Sequence, residues 1–167
     1  ARRDPALFTL ECSRPALGPY IVMASLNAIG LTGWRMLVAR SLELAERFKQ
    51  ELEKLDYCKV LNRDTVGPCV NWWVLPKGRD ANRIFEQLVS GELSDADRER
   101  YFAEVKRLYH KRSKAMDPQV DARLGFTTDY GYRPWGHEIP AWKAVIFNPK
   151  TDDDVIDRIL FSLEELT

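Results

Sequence analysis

Ser13 and Arg14 stand where a short strand-like run, Leu7 to Glu11, gives way to Pro15 and a helical stretch. Backbone N–H groups at a helix start, with a hydroxyl and a guanidinium beside them, suit a phosphate or another anion. The same two residues also suit an ordinary helix cap with an exposed arginine, and the local pattern leaves both open. His110 and Lys111 are adjacent, but they lie inside the charged run Leu108-Tyr109-His110-Lys111-Arg112. A nucleophilic lysine needs a pocket that strips its water and lowers its pKa. A basic helix end does neither, so a solvated face is expected there. His137, in Trp135-Gly136-His137-Glu138, suits acid–base work near neutrality or plain polar surface. The basic stretch from Lys106 to Lys114 suits an acidic partner, and equally the basic end that a helix dipole favours.

Other constellations point to structure. Asp152-Asp153-Asp154 reads as the acidic first turn of a helix, because calcium wants spaced oxygen ligands and a glycine turn. Trp72-Trp73 inside a strand puts one indole on each face, predicting core on one side and an interface on the other. Cys12, Cys58 and Cys69 are widely spaced and far from both histidines, which excludes a Cys-x-x-Cys zinc pattern and predicts reduced thiols in a cytoplasmic protein. Gly-x-Gly-x-x-Gly, phosphate-loop, Gly-x-Ser-x-Gly and His-Glu-x-x-His patterns are all absent from the sequence.

The 25 Lys and Arg among the 167 residues balance 25 Asp and Glu, which argues against a basic nucleic-acid module. The longest apolar stretch, about Tyr20 to Ile29, is interrupted by Ser25 and Asn27, so no membrane span is expected. The opening Arg2-Arg3-Asp4 leads into a strand-like run without the apolar core of a signal peptide.

These residues must be held by a series of elements. After the first strand, helices are predicted over Leu17 to Ile29 and Gly33 to Leu55, separated at Gly30. The second carries Trp34, Leu37, Val38, Leu42, Ala45, Phe48, Leu52 and Leu55 at helical spacing, with Lys49 on the polar face. Strands follow over Tyr57 to Leu61 and Cys69 to Leu75, then helices from the caps Asp80 and Ser94. Leu124 to Tyr130 and Trp142 to Phe147 read as strands, with Gly131 to Pro140 as the loop between them. Thr151 is expected to cap a last helix, Asp152 to Leu166. Paired helices between paired strands predict an α+β layer rather than a doubly wound series.

Two segments carry a resemblance. Phe8-Thr9-Leu10-Glu11-Cys12-Ser13-Arg14-Pro15-Ala16, followed by Ala28-Ile29-Gly30-Leu31-Thr32-Gly33-Trp34, is similar to the segment after the cofactor lysine in group II pyridoxal-phosphate-dependent amino-acid decarboxylases. Trp34 stands where that family usually has tyrosine. Ala144-Val145-Ile146-Phe147-Asn148-Pro149-Lys150-Thr151, with Asp154-Val155-Ile156-Asp157, resembles the family's strand, Asn-Pro turn and final helix. The resemblance spans nearly the whole chain and is weakest from Gly78 to Tyr130.

It implies the C-terminal part of a fold type I enzyme: residues 1–55 closing the large domain and 56–167 forming an α+β small domain. It implies a parent carboxy-lyase that uses pyridoxal 5'-phosphate on an amino-acid substrate and works as a homodimer. The family's Asp-x-His-Lys lysine has no counterpart here, so the chain alone is expected to be inactive and without bound cofactor. The resemblance places Ser13 and Arg14 near the cofactor phosphate. It places Lys143 where the family often uses arginine for the substrate carboxylate; lysine keeps the charge without the bidentate fork. An interaction or dimerisation module derived from such an enzyme, and a domain binding phosphate or an acidic partner, are the alternative expectations.

Overall fold

A computed structural model describes residues 17–115, 124–132 and 137–167. The chain divides between Val38 and Ala39 into two compact units. Helix α1, Leu17–Glu53, runs through that point and is interrupted at Gly30, where φ 67° and ψ 174° leave helical geometry. Only glycine adopts such a backbone without strain, so the break expected there is built in.

In the first unit α1 is apolar and open to solvent: Tyr20, Ile21, Val22, Met23, Leu31 and Met36 are all more than half exposed. The helix from Tyr20 holds a window of mean hydropathy 1.4 and is long and apolar enough to cross a membrane by length and composition. That corrects the expectation of no such run. Ser25 and Asn27 are uncharged and do not break a hydrophobic window; core helices of soluble proteins pass the same test.

The second unit is built on a four-stranded antiparallel sheet in the order β1-β2-β4-β3, from β1 (Cys58–Val60), β2 (Cys69–Val74), β3 (Gly125–Tyr132) and β4 (His137–Val145). Two hairpins are joined through α2 (Ala81–Ser90) and α3 (Asp95–Ala115), and α4 (Asp153–Leu166) follows the last strand. The α+β expectation holds. The strands β3 and β4 run further than expected, because Gly131↔Glu138 and Tyr132↔His137 pair inside the predicted loop and Tyr130 pairs with Ile139 of it. Pro140 is tolerated in this inner strand where the ladder to β3 shifts register, between Thr127 and Tyr130. Its carbonyl accepts the Trp73 indole N–H at 2.6 Å.

Leu44, Ala45, Phe48 and Leu52 of α1 are buried, but Leu37 and Val38 are over a third exposed. The apolar stripe thus meets a core only from Leu44 onward. Phe48 meets Trp72 edge-on at 5.2 Å, while Trp73 meets Phe85 of α2 and Phe102 of α3 at 5.2 and 5.8 Å. Both indoles are fully buried, so the interface expected on one side is closed by this chain's own helices.

Local signals set the helix ends. The Asp80 carboxylate accepts from Arg83 N–H, Ser94 Oγ from Asp97 N–H, and Gly91 closes α2 in the left-handed region. The last helix is capped by Asp152, which accepts from Val155 N–H, not by Thr151; Thr151 N–H closes a turn on Asn148 instead. Lys77 and Lys111 donate to the carbonyls of Glu164 and Leu166, which satisfies groups the helix end leaves unpaired.

Candidate functional site

The residue that the resemblance assigns to substrate, Lys143, lies on β4 between β2 and β3, opposite Asn71 and Gly125. Residues directly opposite one another on a sheet share a face. On this face Trp73 and Ala141 are fully buried, whereas Val145 is 57% exposed and Cys69 is half-buried. Lys143 is exposed and holds no partner among the described residues. It stands where the covered part of the face ends and the open part begins.

The hairpin β1–β2 fixes what stands beside it. Asn62, itself buried, donates from Nδ2 to Cys69 O at 2.8 Å and accepts Asn71 N–H on Oδ1 at 2.9 Å. Leu61 N–H donates to Asn71 O at 2.8 Å. Lys49 of α1 reaches the loop of the same hairpin, donating to Thr65 O at 2.6 Å. Expected on a polar face, Lys49 is only 2% exposed. The loop folds back over the helix and supplies the carbonyls that a buried ammonium requires. None of these three residues stood out in the sequence, because a lone Asn or Lys carries no spacing signal. The hairpin gap of Leu61 to Pro68 was the only hint.

Other candidates do not gather here. Ser13 and Arg14 lie outside the described residues, as do Cys12 and the strand expected over Leu7 to Glu11. His137 begins β4. His110 and Lys111 lie exposed on α3, as expected of a solvated face, and Lys111 is engaged at the end of α4. Cys58 is buried, and desolvation pushes its thiol well above the usual range, so it is not a nucleophile. Among the described residues no group of three metal-ligating side chains occurs.

Grooves also cross the described part of the second unit. One, of about 530 Å³, lies between α1 and the hairpin loop, along Glu46, Lys49 and Arg63. Its charges answer one another: Arg63 pairs with Glu46 and Glu53, and Arg47 reaches Asp153 and Asp157 on α4. Another, of about 490 Å³, lies between α3 and α4 along Lys111, Arg112, Arg158 and Phe161.

No protein-family model and no curated protein matches the chain. Solved structures do. Mouse CSAD in apo form superposes with a TM-score of 0.62 at 17% identity, over 98% of this chain and 30% of that one. The glutamate decarboxylase domain of diaminobutyrate-pyruvate transaminase and L-2,4-diaminobutyrate decarboxylase from Vibrio parahaemolyticus gives 0.58 at 14% identity, over 96% and 28%. The fold is that of one part of these two structures. This chain spans less than a third of the structures it matches. The sheet face around Lys143 and the apolar face of α1 are therefore surfaces of a segment whose counterparts belong to much longer chains.

Proposed function

We propose that this chain is the C-terminal portion of a pyridoxal-phosphate-dependent amino-acid decarboxylase, cytoplasmic and dimeric in the parent, and inactive alone. One observation carries the reading: nearly the whole chain superposes on under a third of a decarboxylase-type chain. Two further features support it. Lys143 presents a charged end on an open sheet face, where a substrate carboxylate can dock. The helix before Val38 exposes an apolar surface of the kind that protein contact covers, which favours association over an isolated monomer.

Pyridoxal phosphate supplies the electron sink for such chemistry. Ser13 and Arg14, which the resemblance assigns to its phosphate, lie outside the described residues, and Lys49 and Lys111 already hold backbone carbonyls. The role of this chain's own residues is to bind and orient. Lys143 holds the carboxylate, and the sheet fixes its Cα on both sides.

The test has two arms. The reading frame upstream should encode an Asp-x-His-Lys motif within about one domain length; an intact frame without it overturns the proposal. The purified chain, incubated with pyridoxal phosphate and freed of excess, should show no aldimine absorbance. A borohydride-trapped adduct on Lys111 or Lys143 would contradict its inactivity.

A further inference from the structure

We propose that Asn71 is the second donor of a two-point carboxylate receptor whose first donor is Lys143, an inference that rests on the reading of Lys143 as the carboxylate binder. Asn71 is only 8% exposed, yet its bonds among the described residues are all made by its backbone. Its carboxamide has no hydrogen-bond partner there, and it is not among the side-chain polar atoms sealed from solvent. A largely buried amide normally finds a partner; this one keeps a solvent-reached edge through which a ligand can pair with it. Here the open direction is the sheet face it shares with Lys143.

Three features make the pair a receptor rather than two neighbours. The register places Asn71 directly opposite Lys143, with Cβ atoms about 4.5–5.5 Å apart by ordinary sheet geometry. That spacing lets an ammonium and an amide N–H₂ address the two oxygens of one carboxylate. The Asn62 side chain holds the strand at the Cys69 carbonyl and at the Asn71 N–H, which anchors the backbone that carries the amide. On the other flank Gly125 has no side chain and the lysine stem lies over it: a Cβ there would stand 3.5 Å from the Lys143 Cβ and 3.9 Å from its Cγ. Lysine is a point charge and fixes no orientation, unlike the arginine fork. The amide restores the second contact. The ligand class is an organic carboxylate, its apolar body directed towards Val145, the exposed residue next along this face of β4.

The experiment is a titration of the isotope-labelled full chain with glutarate at low salt, read from the Asn71 side-chain N–H₂ and the Gly125 amide. A saturable shift is expected at both. Lys143→Met should weaken binding about 10-fold or more, Asn71→Leu about 3- to 10-fold, and the isosteric Asn71→Asp at least 10-fold through repulsion. In the Asn71→Leu background, Lys143→Arg should recover affinity to within about 2-fold of the native chain, since the fork supplies both donors. Asn71→Asp keeps the shape of the native residue and serves if Asn71→Leu fails to fold. Asn71 variants that bind within about 2-fold of the native chain, with Lys143→Met still weakened, overturn the pairing and leave the Lys143 assignment standing. A native chain without a saturable shift overturns both.

Discussion

Three buried tryptophans in one sheet differ in what their indole N–H groups do. Trp73 donates to Pro140 O and Trp142 to Val105 O at 3.1 Å, whereas the Trp72 N–H, equally buried, has no partner among the described residues. Trp73→Phe leaves a strand carbonyl unanswered; Trp72→Phe removes an unsatisfied donor. The first should destabilise by about 1–2 kcal/mol more than the second in urea unfolding at matched loss of volume. Charged residues supply a second expectation. Hydrogen bonding to Arg40 holds the Asp153 carboxyl below its ordinary 3.8, and bonding to Arg63 holds Glu46 below 4.5. Both bind protons less readily folded than unfolded, so their contribution is complete above that range and lost as pH falls through and below it. The urea midpoint of Asp153→Asn should therefore vary less with pH below about 4 than that of the native chain, and salt should shrink the difference.

Among the elements, the helix caps were legible because a cap is a local bargain between a short side chain and the next turn. Asp80 and Ser94 act as read, and Gly91 closes α2. Asp152→Ala should cost about 1 kcal/mol, measured by thermal or urea unfolding, while Thr151→Ala should cost only a few tenths. The reverse order would restore Thr151 as the cap. The hairpin β3–β4 departs from the loop its composition predicts for a physical reason. Glycine, proline and aromatic residues from Gly131 to Pro140 signal a turn, but backbone pairing continues through Tyr132 and resumes at His137. Proline in an inner strand is admitted only because the register shifts opposite it.

For the whole molecule, α1 decides where the folded unit begins. The resemblance implies a boundary after Leu55, while Leu44, Phe48 and Leu52, before it, are at most 2% exposed. A chain begun at Ala39 should fold, unfold cooperatively and be less prone to association than the full chain. A chain begun at Asp56 should not fold, since it lacks a helix that fills the core beside Trp72. Phe48→Ala should cost about 3–5 kcal/mol in the same assay. Far-ultraviolet circular dichroism and gel filtration of the two truncations decide between the boundaries.

The sequence by itself determined the type and order of the elements from α1 onward, the break at Gly30 and most of the caps. Each is written in a window of a few residues, where periodicity and backbone sterics act locally. It also carried the resemblance that made Lys143 a candidate. Only the tertiary structure decided what stands beside Lys143: strand register is a long-range choice that no local window contains. Asn71 and Gly125 become its neighbours because β4 enters between β2 and β3. Tertiary packing likewise buried Lys49 against a loop 16 residues away and closed both faces around Trp72 and Trp73. Burial is set by which helix covers which strand, and that is settled only when the whole core packs.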